Sequence, residues 1–344
     1  MPQQKTLLIV GVGSIGLRHL RCFLSTGRVR ASICEINPAL RERAVQQHPI
    51  AQCYSSLEAA LADRHDAAVI ATPAHLHVPI AIRLAEAGMH LLVEKPVSAS
   101  MEGIDTLRQV LQNRNLLAAV GYSLRSIPSL RAMKEAIASG RFGHPVQVIA
   151  ICGHDFPAAR PAYRETYYRD HATGGGAIQD ALTHIINAAE WLVGPADRAL
   201  ADAAHQMLDG VNVEDTVHLL TRHGRVLGCY SLNQYQAPSE TTITVVCEHG
   251  TARFENHMNR WRWMTRPDEP WHDEPGGQFS YDEEITHQAN VFLDAMEGRV
   301  PPPCSLEEGI QTLRVNLAAL ASLDQKTWQT VGPDRPTEWK GAMA

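Results

Sequence analysis

Three side chains in this 344-residue sequence stand where a proton or a charged oxygen could be handled: Lys95, Asp180 and His184. Asp180 and His184 are four apart in a helical pattern that follows Gly174-Gly175-Gly176, so both emerge on one face. An imidazole there can take a proton near neutral pH, and the carboxylate can orient it or bind a hydroxyl. A plain surface pair on a helix is the alternative. The three glycines would let a ligand approach the backbone. Lys95 follows a short apolar run, 90–93, and sits between Glu94 and Pro96. An ammonium at a strand end can steady a developing alkoxide, whereas a surface lysine held by Glu94 is the bland reading. Pro96 restricts Lys95 to extended geometry.

These groups need elements to hold them, and the sequence supplies one at its start. Leu7-Leu8-Ile9-Val10 reads as a strand buried on both faces. Gly11, Gly13 and Gly16 follow at G-x-G-x-x-G spacing, and apolar residues recur at helical intervals over 14–25. In that order the glycines permit a tight turn, close approach of the backbone to a pyrophosphate, and close helix–strand packing. The free N–H groups around Ser14 and Ile15 and the helix dipole suit a diphosphate. Glu35 ends a second strand-like run nineteen residues past Gly16. A carboxylate there can accept from a ribose diol and would repel a 2′-phosphate, which favours NAD over NADP.

Strand and helix patterns then alternate: a strand at 51–54, a helix at 57–62, a strand at 66–71, helices at 78–87 and 101–112, and a strand at 116–120. Such alternation predicts an α/β Rossmann domain, a doubly wound parallel sheet with ligands beyond the carboxyl ends of its strands. Thr72 and Pro73 lie at such an end, placed to touch a dinucleotide. His75 and His77 lack a third ligand at metal spacing, so no metal is expected and His77 reads as a cap or a cofactor contact. Beyond a helix at 129–139 the runs at 146–152, 216–220, 226–232 and 241–246 are β-rich. They predict an α+β domain with an open, mainly antiparallel sheet. The expected division is 1–122 and 123–344, with a late helix, 306–322, packing back on the first domain. The acidic, proline-marked segment 266–284 reads as a surface loop or subunit contact.

Thirty-one Lys and Arg against 37 Asp and Glu give a net charge of −6 with no basic stripe, which argues against nucleic acid and anionic membrane as partners. No apolar stretch is long enough to span a bilayer, and the opening residues show no leader pattern, so a cytoplasmic protein is expected. Seven cysteines without a C-x-x-C pair point away from a disulfide framework.

The ordered set of motifs resembles the glucose-fructose oxidoreductase, inositol dehydrogenase and MocA (Gfo/Idh/MocA) family over nearly the whole length. The matching residues are Gly11 to Gly16, Thr72-Pro73 with His77, Glu94-Lys95-Pro96, Gly121 through Arg125 and Pro128, and Gly174-Gly175-Gly176 leading to Asp180 and His184. The resemblance implies that Lys95, Asp180 and His184 are a catalytic trio for NAD(P)-dependent hydride transfer on a sugar, cyclitol or related polyol. It also implies a homodimer or homotetramer formed through the second-domain sheet. Asn187, Ala181 and Thr183 depart from the usual motif, which bears on substrate choice. Arg125, Tyr163 and Arg164 are further candidates for contacting substrate, and a loop merely packed over the sheet is the alternative for the last two. Two other readings compete: a non-catalytic dinucleotide-binding regulatory protein, and a redox-neutral glycosidase that retains its NAD.

Overall fold

The computed structural model describes residues 4–277 and 279–332. The opening residues 1–3, part of the leader expectation, and 333–344 of the second expected domain lie outside the described residues. Six strands, β1 (Lys5–Val10), β2 (Val29–Cys34), β3 (Cys53–Tyr54), β4 (Ala67–Ile70), β5 (His90–Val93) and β6 (Ala118–Val120), form a sheet in the order β3-β2-β1-β4-β5-β6. Every pairing in it is parallel. The helices between them are α1 (Ser14–Ser25), α2 (Pro38–Gln47), α3 (Leu57–Leu61), α4 (His77–Glu86) and α5 (Ile104–Arg114). Local chemistry starts several of these. Asn37 accepts from the Ala39 N–H ahead of Pro38 to open α2, and Ser56 does the same for α3 through Ala59. The doubly wound reading therefore stands, with β3 and β4 shorter than expected.

After α6 (Pro128–Ala138) the chain builds a nine-stranded sheet from β7 (Pro145–Asp155), β8 (Arg198–Ala204), β9 (Thr216–His223), β10 (Val226–Asn233), β11 (Tyr235–Cys247), β12 (Gly250–Glu255), β13 (Arg260–Met264), β14 (His272–Pro275) and β15 (Gln329–Thr330). Its order is β14-β13-β12-β11-β7-β10-β9-β8-β15, antiparallel throughout except where β10 meets β7. A short α7 (Phe156–Ala159), α8 (Thr183–Val193), α9 (Tyr281–Met296) and α10 (Leu306–Gln325) complete the chain. Residues of β9 and β10 alternate between buried and exposed. One sheet face packs on α6, α8 and α10, and the other leaves Ile151, Leu220 and Leu227 more than 40 % exposed.

The last two helices pack back on the first sheet, and α10 also reaches the second. Ala289, Phe292 and Leu293 of α9 share a core with β1 and α1, and the Phe292 ring meets Phe23 edge-on at 6.2 Å. Leu306, Ile310 and Leu313 of α10 pack with β5 and β6, while Val315 and Ala319 belong to the second-sheet core. The segment 266–284 departs from the expected surface loop. It contributes the edge strand β14 and the first turn of α9, anchored where Asp282 takes both Nε and Nη2 of Arg21 at 2.6 Å. Among the described residues no helix is long and apolar enough to cross a membrane, and all seven cysteines are free.

Candidate active site

The glycine turn is built as the spacing predicts, and each glycine has a different reason to be there. Gly11 adopts φ +85°, and a Cβ on it would lie 2.8 Å from the Ala71 carbonyl. A Cβ on Gly16 would fall 1.9 Å from the Gly11 carbonyl oxygen, so α1 can lie this close to β1 only with glycine. At Gly13 an added Cβ would meet nothing within 4 Å. Gly13 also starts α1 with no side chain capping it, which leaves the first-turn N–H groups aimed into that space.

Around this turn the sheet edge is fixed by buried polar contacts. Glu35 accepts from the Val12 N–H at 2.9 Å and from the Asn37 N–H at 2.8 Å, so its carboxylate stands beside the loop at the end of β2. Thr72 follows β4, and its hydroxyl is buried with no hydrogen-bond partner among the described residues. The ring nitrogens of His77 lie 2.7 Å from the Thr72 carbonyl and 2.9 Å from the Pro96 carbonyl. His77 thus sits between two strand ends, and burial pushes its pKa down, so the neutral ring donates to one of these carbonyls. Glu94, also buried, bonds His19 at 2.6 Å and accepts from the Lys95 N–H. Glu94 therefore holds the backbone of Lys95 and leaves the ammonium free to reach elsewhere. Gly121 makes room for it, since a Cβ there would lie 2.9 Å from Glu94 Oε1.

Lys95 extends from the first sheet to the second. Its Nζ donates to the Asp180 carbonyl at 2.7 Å and lies 3.1 Å from Asp180 Oδ1. Asp180 belongs to a π-helical turn, Ile178–Leu182, that runs into α8, where His184 occupies the first turn. Such wide turns occur mostly as single insertions, frequently at functional sites. Tyr167 donates to the same Oδ1 at 2.8 Å. Burial opposes the charged carboxylate, yet the charges of Lys95 and Arg160 and the bonds from Tyr167 and Lys95 outweigh it, and the Asp180 pKa falls to about 2. Burial, reinforced by Lys95, pushes His184 down to about 3, so its imidazole is neutral near pH 7. Its Nδ1 is buried without a hydrogen-bond partner among the described residues, and the ring meets Tyr122 edge-on at 6.0 Å.

Several residues expected to face a ligand are taken up by contacts within the protein. The triplet Gly174-Gly175-Gly176 is closely packed: a Cβ on them would strike Ala74, the Tyr168 carbonyl and the Glu214 carboxylate respectively. Asp180 Oδ1 serves Lys95 and Tyr167, and no hydrogen bond joins Asp180 to His184 among the described residues. Arg125 is buried and committed to protein, with Nε on Asn187 at 2.8 Å and Nη1 on Glu308 at 2.5 Å. Tyr163 is buried against Phe156 and Tyr168, and its hydroxyl donates to the Asp209 carbonyl. Arg164 turns to the same carbonyl. The loop instead presents Tyr167, four residues past Tyr163, together with Arg160, whose charge acts on Asp180, Tyr167 and Tyr281. The sequence reading singled out Tyr163 and Arg164 in this loop and missed Arg160. The consecutive short 3₁₀ turns at Tyr163–Glu165, Tyr167–Arg169 and His171–Thr173 decide which side chains point inward, and no periodic pattern announces them.

The open space at Gly13, the uncapped start of α1, the unpartnered Thr72 hydroxyl and the carboxylate of Glu35 together fit a dinucleotide laid across the sheet edge. With a lysine, a carboxylate and a neutral imidazole gathered at that edge, the fold and site define a dinucleotide-dependent oxidoreductase. The comparisons agree. The model described as "Oxidoreductase family, NAD-binding Rossmann fold" matches residues 5–122, and that for the "GFO/IDH/MocA C-terminal domain" matches residues 130–253. The chain belongs to the Gfo/Idh/MocA family. It is 30 % identical to levoglucosan dehydrogenase of Pseudarthrobacter phenanthrenivorans over 167 residues, which span 48 % of this chain and 43 % of that protein. It is 25 % identical to inositol 2-dehydrogenase of Rhizobium meliloti over 332 residues, 92 % of this chain and 96 % of that one. A solved levoglucosan dehydrogenase in complex with NADH and levoglucosan superposes with a TM-score of 0.86 at 22 % identity, covering 96 % of this chain and all of that one.

Proposed function

We propose that the protein transfers hydride between a nicotinamide dinucleotide and a secondary alcohol or ketone of a sugar, cyclitol or related polyol, with Lys95, Asp180 and His184 at the reacting centre. The observation that carries this reading is the Lys95–Asp180 contact. It brings the ammonium of the first lobe into the second, four residues from a buried neutral imidazole. Bound at the glycine turn, the nicotinamide supplies the hydride acceptor or donor. His184 takes the proton of the substrate hydroxyl, because burial holds it unprotonated. Lys95 steadies the negative charge that develops on that oxygen. Asp180, fixed by Lys95 and Tyr167, aims the ammonium and offers an oxygen to a neighbouring hydroxyl. Glu35 selects NAD by accepting from the ribose diol and repelling a 2′-phosphate. Relatives named for inositol and levoglucosan support the substrate class.

The half-exposed apolar residues Ile151, Leu220 and Leu227 on the open sheet face support self-association through that face, and the seven unpaired thiols support a cytoplasmic setting. The test is nicotinamide absorbance over a panel of polyols, cyclitols and anhydrosugars with NAD and NADP, with Lys95→Ala as control. Turnover that Lys95→Ala abolishes is expected. Failure of the wild type to bind either dinucleotide would overturn the reading. Light scattering of the purified protein reads the subunit count.

A further inference from the structure

Glu214 lies just ahead of β9 and is only 5 % exposed. Its Oε1 accepts from the Ile178 N–H at 2.9 Å, and its backbone carbonyl accepts from the Ala177 N–H at 3.0 Å. Its Oε2 lies 2.5 Å from His171 Nε2. Gly176, at φ +86°, leaves the necessary room: a Cβ there would stand 2.7 Å from both carboxylate oxygens and 2.8 Å from the imidazole. One side chain therefore joins three segments: the loop that carries Tyr167, the start of the π-helical turn that carries Asp180, and the entry to β9. Asp215 fastens the same entry from the other side, accepting from the N–H groups of Gln206, Met207 and Leu208. Neither Glu214 nor His171 bonds Lys95, Asp180 or His184.

We propose that Glu214, held by His171, is a positioning residue for the reaction, fixing where the turn through Asp180 begins and so where Asp180 and His184 stand relative to Lys95. The inference rests on the proposed function. Ile178, the amide Glu214 holds, is two residues before Asp180, so slack at that amide moves the carboxylate directly. A displacement of about 1 Å in a reacting group can cost on the order of 100-fold in rate. His171 supplies the ring nitrogen that the buried Glu214 Oε2 faces. The groups facing His171 are Glu214, Asp170 and Asp324, all acidic. The bond to Glu214, ahead of the opposing burial, raises the His171 pKa. A raised imidazole pKa places the full link below the ordinary histidine value and loses it as pH climbs through the raised one.

Three variants test this: Glu214→Ala, Glu214→Gln, which keeps an acceptor for the Ile178 amide, and His171→Gln, which keeps a neutral donor for Glu214. The readouts are hydrogen–deuterium exchange of peptides across 176–184, NADH binding by fluorescence, and kcat against pH with the substrate found in the panel. Glu214→Ala should exchange at least roughly tenfold faster over 177–182. Its kcat should fall about 10- to 100-fold while the NADH dissociation constant stays within about twofold. Glu214→Gln should recover part of both. The alkaline side of the kcat profile should be flatter in His171→Gln than in the wild type. Unchanged exchange or unchanged kcat in Glu214→Ala, or an alkaline limb in His171→Gln identical to that of the wild type, overturns the inference with the functional reading intact. A wild type that binds no dinucleotide overturns that reading and this inference with it.

Discussion

Lys95 and Asp180 come from different sheets and meet with 3.1 Å between ammonium and carboxylate, both side chains nearly closed off from water. The contact is doubled by the bond from Lys95 to the Asp180 carbonyl, so the ammonium reads both the side chain and the backbone of the π-helical turn. Lys95→Met removes the charge at similar length. The loss of one charged donor at a reacting oxygen predicts a kcat lower by about 10²- to 10³-fold. It also strands a buried carboxylate, so thermal denaturation should show a loss of about 3 kcal/mol. Lys95→Met with full kcat would remove the ammonium from the mechanism.

Gly13 and Gly16 separate binding from folding. A methyl on Gly13 meets no atom of the described residues within 4 Å, whereas one on Gly16 collides with the Gly11 carbonyl at 1.9 Å. Gly13→Ala should therefore melt with the wild type yet bind NADH at least roughly tenfold more weakly, a change of about 1.4 kcal/mol. Gly16→Ala should lose stability by about 1 to 3 kcal/mol as well as binding. Calorimetry and NADH fluorescence on the two proteins check both; Gly13→Ala binding as the wild type does would place the pyrophosphate elsewhere.

Much of this was legible in the sequence, for reasons that differ by element. The glycine turn and β5 declare themselves because a strand buried on both faces leaves an uninterrupted apolar run, and only glycine satisfies the close contacts at Gly11 and Gly16. The helix α9 did not. Its apolar face is spread over sixteen residues behind an acidic, proline-marked stretch, although Ser280 and Glu283 form a capping box whose S-x-x-E spacing was a usable signal. Arg125 misled because an arginine near a site looks available until its partners are known. Asn187 and Glu308 lie 62 and 183 residues away in sequence.

Burial of neutral imidazoles sets the acid side of stability. His184 binds a proton only near pH 3 when folded but near 6.5 when unfolded, and burial likewise lowers His77. Between those values the unfolded chain holds more protons, so stability falls as pH falls, by about 1.4 kcal/mol per pH unit for each fully shifted imidazole. Asp180, lowered to about 2, adds a further loss only below its ordinary carboxylate range. Denaturant melts from pH 7 to pH 4 should show the decline, and His184→Asn should flatten part of it. An equal slope in both proteins would mean that His184 is charged when folded.

Glu35 is the handle on cofactor choice. Its carboxylate is held by the Val12 and Asn37 amides at the end of β2. Glu35→Ser removes the charge that a 2′-phosphate would face, so the ratio of NADP to NAD efficiency should rise by about tenfold or more, chiefly through weaker NAD binding. Steady-state kinetics with both dinucleotides measure it, and an unchanged ratio would take Glu35 out of the selection.

Tyr167 and Arg164 lie three residues apart in one loop and should behave in opposite ways. The Tyr167 hydroxyl donates to Asp180 Oδ1 at 2.8 Å, and the burial of the phenol, with Asp180 beside it, lifts its own pKa well above the ordinary value. It is therefore a permanent donor at working pH. Tyr167→Phe removes one bond to a charged acceptor, worth about 1.5 to 3 kcal/mol. Asp180 then relies on Lys95 and Arg160 alone, its pKa rises, and kcat should drop by about tenfold or more while NADH binding holds. Arg164 is half exposed, and among the described residues its hydrogen bonds go to the Asp209 carbonyl and carboxylate while its guanidinium lies over the Tyr163 ring, so Arg164→Ala should leave kcat and KM near the wild type. If the arginine variant is the damaged one and the phenylalanine variant is not, the loop is presenting a different side chain to substrate than the geometry assigns.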